Sequence, residues 1–146
     1  MITKVEPQAL HDAWDFTLRG LLTIQKKLGP KRVDWRPEDV YLSIRTGAAD
    51  LYLITRGARR LGFLVIYVQL RPFSGKRELF IWAAWDLPLR ERQAGDDVPE
   101  AVAKCREFIV SQMVERDCDS ILTLSPRPGL KRFGFEPSLT TWRIWR

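Results

Sequence analysis

The sequence predicts a mixed α/β (α+β) fold, a mostly antiparallel sheet flanked by helices, with elements in the order ααβββαβαβ. Three observations carry this. Apolar residues first recur every three or four positions, then gather into β-branched and aromatic runs separated by short turns, and then return to the helical period.

The first helix is traced by Leu10, Trp14, Leu18, Leu21, Ile24 and Leu28, and Gly29-Pro30 ends it. After Asp34 and Trp35, Pro37-Glu38-Asp39 opens a second, shorter helix with Val40, Tyr41 and Ile44 on its apolar side, closed by Gly47. Leu51 to Thr55 and Leu61 to Leu70 form a hairpin around Arg56-Gly57-Ala58-Arg59. A turn over Pro72 to Lys76 leads to a third strand of the meander, Glu78 to Trp85. Val98, Ala101, Val102, Cys105, Phe108, Ile109 and Met113 then mark one face of a helix whose start carries Asp96, Asp97, Pro99 and Glu100, as helix N-termini favour. Ser120 to Leu124 is a short buried strand, Arg127 to Phe133 makes one or two helical turns, and Leu139 to Arg146 is a final strand.

The chain has 146 residues, 45% of them hydrophobic, with six Trp and seven Phe, which suits one globular domain over residues 1–146 with no metal or disulfide needed to hold it. No internal repeat or linker-like stretch divides it. No apolar run approaches the roughly 20 residues of a membrane span, so no membrane partner is expected. The start, MITKVEPQALHDAW, has no apolar signal-peptide core, and with only two cysteines, Cys105 on an apolar helix face, a cytoplasmic setting is expected.

Lys and Arg number 24 against 18 Asp and Glu, a formal charge of +6. The cations fall in small groups: Lys26, Lys27, Lys31 and Arg32; Arg56, Arg59 and Arg60; Lys76 and Arg77; Arg127, Lys131 and Arg132; Arg143 and Arg146. Such groups suit either a solvated surface or contact with nucleic acid or another acidic partner, but form no DNA-reading motif. His11 is the only histidine, so a histidine metal cluster is excluded and no metal is expected. Ser125 lacks the GxSxG elbow, and Cys105 with His11 makes no credible nucleophilic pair.

The element order, with the phrase Leu130-Lys131-Arg132-Phe133-Gly134-Phe135-Glu136, resembles the GNAT acyltransferase superfamily over nearly the whole chain. Trp35-Arg36-Pro37-Glu38-Asp39-Val40-Tyr41, a Gly-Ala turn before the first long strand, and Ser125-Pro126-Arg127-Pro128-Gly129 look more particularly like small GNAT-like proteins of tailed bacteriophages. The resemblance implies an acyl-CoA pyrophosphate site on the turn before the central helix, where backbone N–H groups and the helix's positive end meet phosphate. Arg92, Gln93 and Gly95 match that pattern as cofactor-binding candidates; Asp97 departs from it, and two carboxylates at Asp96 and Asp97 oppose an anion. Leu130 stands where the family often has a tyrosine general acid. Glu78 and Asp86, at the ends of the third meander strand, are the remaining candidates for a catalytic base.

On regular strands Trp82 and Trp85 face opposite ways, as do Trp142 and Trp145. If one face is uncovered, Trp85, Arg143, Trp145 and Arg146, with Arg127, Lys131 and Arg132, are candidates for binding a partner, since Trp and Arg are enriched at interface hot spots. With the catalytic positions substituted, the sequence favours a non-catalytic GNAT-like phage protein acting by protein–protein binding, as a virion neck or tail or assembly component, found in the host cytoplasm or the virion. Its partners are then other virion proteins or itself, with no cofactor. The alternative is an acetyl-CoA-dependent N-acetyltransferase, with acetyl-CoA as cofactor. A second is a nucleic-acid-binding accessory protein.

Overall fold

Helix and strand alternate as the apolar pattern requires. The computed structural model of the chain describes residues 1–29, 33–96, 98–123, 131 and 134–136. Within them lie β1 (Ile2–Lys4), α1 (Leu10–Leu28), α2 (Pro37–Arg45), β2 (Asp50–Arg56), β3 (Arg59–Leu70), β4 (Arg77–Asp86), α3 (Val98–Glu115) and β5 (Ser120–Thr123). The expected elements up to residue 123 are all present, and β1 is an addition. Apart from Lys131, the expected last helix and last strand lie outside the described residues.

The sheet runs in the order β1-β2-β3-β4-β5. β1, β2, β3 and β4 pair antiparallel in turn, and β5 joins β4 in parallel. A crossover through α3 makes that last, parallel pairing possible. Helices cover both faces. Leu10, Ala13 and Leu21 of α1 and Val40 and Ile44 of α2 pack with Leu51, Phe63, Val65, Ala83 and Trp85 on one side. On the other, Cys105, Phe108, Ile109 and Met113 of α3 pack with Tyr52, Leu64, Ile66, Leu79 and Ile81. Each strand thus gives alternate residues to each helical layer.

That alternation breaks once in β4. Val65 pairs with Ala83 and Ile66 with Ile81, so Trp82 has no partner on β3 and forms a β-bulge. Before the bulge, even-numbered residues face α1 and α2: Phe80 and Trp82 both meet Tyr67, at 4.9 Å and 5.6 Å between ring centroids. After it, odd-numbered Ala83 and Trp85 face the same layer. The opposed facings expected of Trp82 and Trp85 are therefore corrected, because the strand is not regular.

Trp85 lies 6% exposed in this core, edge-on to Phe16 and against Phe63, with Arg19 over its ring at 5.4 Å. Gly20 makes room for it. A Cβ built on Gly20 would stand 2.7 Å from Trp85 Cδ2 and closer still to Phe63. A mid-helix glycine gives up about 0.5–1 kcal/mol of propensity relative to alanine. Close packing of α1 on the sheet depends on that sacrifice. Gly20→Ala should lower stability in urea denaturation by a net 1–2 kcal/mol or so, overpacking outweighing the propensity gain; a more stable variant would mean the helix rides clear of Trp85.

Candidate functional site: the open edge of β4 and the turn before α3

β5 accompanies β4 only from Glu78 opposite Ser120 to Ile81 opposite Thr123. Beyond that point, among the described residues, no strand pairs with the outer edge of Trp82 to Asp86. Among the described residues the bulge at Trp82 directly follows the last β4–β5 pair, Ile81 with Thr123. Ala84 pairs with Leu64, placing it on the α3 side of the sheet, and it is exposed there while Leu79 and Ile81 are covered. This part of β4, bordered on its outer side by no strand among the described residues, leads towards α3.

After β4 the chain passes through Leu89–Glu91 to the turn over residues 92–96, which is built from the sequence's own exceptions. Gly95 takes φ +91°, a left-handed conformation that favours glycine, and a Cβ there would lie 2.8 Å from the Arg56 Cζ. Arg92 is anchored backwards: its Nε donates to Leu87 O at 2.8 Å and its Nη2 pairs with Asp86. Asp96 closes the turn, accepting from the Gln93 backbone N–H at 2.8 Å, while its own N–H donates to Gln93 O at 3.0 Å.

Two arginines from the β2–β3 hairpin complete the arrangement. Arg56 and Arg59 stand directly opposite each other across Gly57-Ala58. Arg59 Nη1 reaches Asp96 Oδ2 at 2.7 Å, and Arg56 Nη1 lies 3.5 Å from Oδ1. Arg56 also donates to Ala94 O at 3.3 Å, and Arg59 to Glu91 O at 3.3 Å. The Asp96 side chain is only 3% exposed. The Gln93 N–H, then Arg59 and Arg56, hold its carboxyl below the ordinary value of 3.8.

Glu78 is enclosed at 4% side-chain exposure, with Oε1 2.6 Å from Arg71 Nε and Oε2 accepting from Gln69 Nε2 at 3.1 Å. Asp86 is 58% exposed beside Arg92. Burial pushes the Cys105 thiol up, so it stays protonated near neutral pH, in keeping with a packing role. His11 lies exposed on α1, 3.1 Å from Asp12. Among the described residues no three His, Cys, Asp or Glu side chains converge as a metal site, and no helix is long and apolar enough to cross a membrane.

The structure thus brings Arg92, Gln93 and Gly95 together in one turn, with Asp86 at its edge, and puts Glu78 at the far end of β4. Of the residues expected to bind a partner, Trp85 is in the core and Lys131 is exposed; Arg127, Arg132, Arg143, Trp145 and Arg146 lie outside the described residues. Arg56 and Arg59 entered the sequence reading as part of a basic group and as the ends of a hairpin turn, not as site residues. Their position either side of a two-residue hairpin turn was a signal that both point one way, but Asp96, some forty positions later, gave no local sign of being their partner.

No protein-family model matches the chain, and no curated protein matches it in sequence. Solved structures match it along its length. A probable acetyltransferase superposes with a TM-score of 0.69 at 14% identity, covering 100% of this chain and 97% of the other. A ribosomal-protein-alanine N-acetyltransferase from Brucella melitensis biovar Abortus gives 0.66 at 12%, covering 100% and 99%. A predicted acetyltransferase from Clostridium acetobutylicum, solved with acetyl-CoA, gives 0.69 at 14%, covering 99% and 94%. The fold is that of the GNAT acetyltransferases. The expectation of a non-catalytic phage virion or assembly protein, and the leaning against an enzyme, are corrected by these matches: the three structures are each named as acetyltransferases.

Because the folded state holds the Asp96 carboxyl below its ordinary value, the stabilisation is complete above the unfolded value near 3.8 and is lost as pH falls through the lower folded one. Asp96→Asn should therefore melt below wild type at pH 7, with the gap narrowing as pH falls below the unfolded value near 3.8. A gap that stays constant down the acid limb would show that the ion pairs contribute nothing.

Proposed function

We propose that the chain is an acetyl-CoA-dependent N-acetyltransferase. The observation that carries this is the strip of β4 from Trp82 to Asp86, bordered on its outer side by no strand among the described residues and followed by the Gly95 turn before α3, within a fold shared end to end with acetyltransferases. Its parts fit the cofactor. An extended pantetheine arm, itself a run of amides, can pair with the backbone amide and carbonyl groups of such a strand edge, and no strand lies beside Trp82 to Asp86 among the described residues. The turn accepts anions, since a carboxylate already sits on the Gln93 N–H. Arg56 and Arg59 supply cationic charge to that place.

When bound, acetyl-CoA supplies the thioester whose acyl group passes to an amine. This chain's own contribution is binding and orientation. Glu78 has both oxygens engaged and Asp86 holds Arg92, so the reading rests on the placement of backbone donors and on holding the reactants together more than on a dedicated carboxylate base. The position where Leu130 replaces the family's usual tyrosine acid lies outside the described residues.

Isothermal titration with acetyl-CoA tests this. Wild type should bind with a dissociation constant of about 1 μM to 1 mM. Ala84→Phe, which fills the strip on its exposed side, should weaken binding roughly tenfold or more and move the melting temperature by no more than about 2 °C. Absence of heat from wild type at several millimolar ligand would sink the assignment, and an unaffected Ala84→Phe would move the ligand off β4.

A further inference from the structure

Asp96 is an unusual occupant of its position. A nearly fully enclosed carboxylate receives a backbone N–H from the turn and guanidinium groups from two arginines of a different element. Those arginines face each other across a two-residue hairpin, where like charges repel. They are held together by the anion between them. Arg56 keeps 55% of its side chain exposed while lying across Gly95, so the arrangement opens to solvent on the arginine side. The three donors that meet Asp96 are those a phosphate oxygen would choose: one main-chain N–H and two planar guanidinium groups.

We propose that Asp96 is a built-in stand-in for a phosphate group, and that a phosphate-bearing ligand binds by displacing its carboxylate from the Gln93 N–H, Arg56 and Arg59. This deepens the acetyl-CoA reading and rests on it for the identity of the ligand. It assigns Arg56 and Arg59, on the hairpin, as phosphate-binding residues, and Asp96 as the group that sets the affinity. No bond is made or broken in the exchange. A ligand gains the three donors, and Asp96 swings to solvent. Because the ligand-ready form of the turn is only part of the population, its apparent affinity is reduced by that fraction.

The test is titration calorimetry of wild type, Asp96→Asn and Asp96→Asn/Arg56→Gln/Arg59→Gln, with inorganic pyrophosphate and, separately, with CoA. Asp96→Asn should bind pyrophosphate about tenfold tighter than wild type or better, and the triple variant should lose that gain. Equal or weaker pyrophosphate binding by Asp96→Asn overturns the proposal, even if wild type binds CoA well, and then the acetyl-CoA reading stands without it. A gain for pyrophosphate with none for CoA upholds the anion seat and counts against acetyl-CoA as its ligand. If Asp96→Asn loses its melting transition, Arg59→Gln in the otherwise wild-type chain decides: it should weaken pyrophosphate binding several-fold, and unchanged binding overturns the proposal.

Discussion

Trp82, left without a partner on β3, changes the facing of every later residue in β4, and most of what is distinctive in the chain follows from that shift. With a regular strand, Trp85 would point at α3 and Ala84 at α1. The bulge reverses both, sending the larger side chain into the layer where Gly20 has made room and leaving the smallest on the side where α3 gives no cover. The same residue stands where β5 stops following β4 among the described residues. A single extra residue thereby supplies both a packed core on one face and an exposed Ala84 on the other.

Electrostatics take over where packing ends. The β2–β3 hairpin turns in two residues, Gly57 with φ +58° and Ala58, and so brings two arginines side by side at the tip. A short turn fixes register, and register fixes facing. Asp96 relieves the resulting repulsion and at the same time ties the hairpin to the turn that precedes α3. The C-terminal end of α3 is held to the sheet by a comparable device: Arg116 bonds Asp50 at 2.7 Å and the Tyr52 hydroxyl at 2.8 Å, and that hydroxyl donates to Gln112 at 3.2 Å. Helix and sheet are thus clamped at both ends by cation networks, which accounts for part of the basic surplus read from composition.

The fold was largely legible because its signals are local. Leu10, Trp14, Leu18 and Leu21 declare α1 by spacing alone, Gly29 ends it with φ +78°, and the meander strands are β-branched runs between obvious turns. β1 was missed because three residues, Ile2 to Lys4, are too few to show a period. The bulge was missed because Trp82-Ala83-Ala84-Trp85 reads equally well as regular strand, and only pairing with β3 exposes the extra residue. Arg92, Gln93 and Gly95 were found through spacing, whereas the partnership of Asp96 with Arg56 and Arg59 depends on two segments some forty positions apart meeting in space. The functional preference failed for a related reason: it weighed substituted positions one at a time, while the fold shared with the acetyltransferases is set by element order and backbone pairing, which such substitutions leave little changed.

The central claim is that β4 from the bulge to the turn before α3 is where acetyl-CoA lies, and amide hydrogen exchange with and without the ligand reads this directly. Slower exchange confined to segments spanning Trp82–Asp86 and Gln93–Asp96, at ligand concentrations that saturate binding, is the result the account predicts. Saturated binding with those amides exchanging at their free rate, and protection appearing elsewhere in the chain, would contradict it.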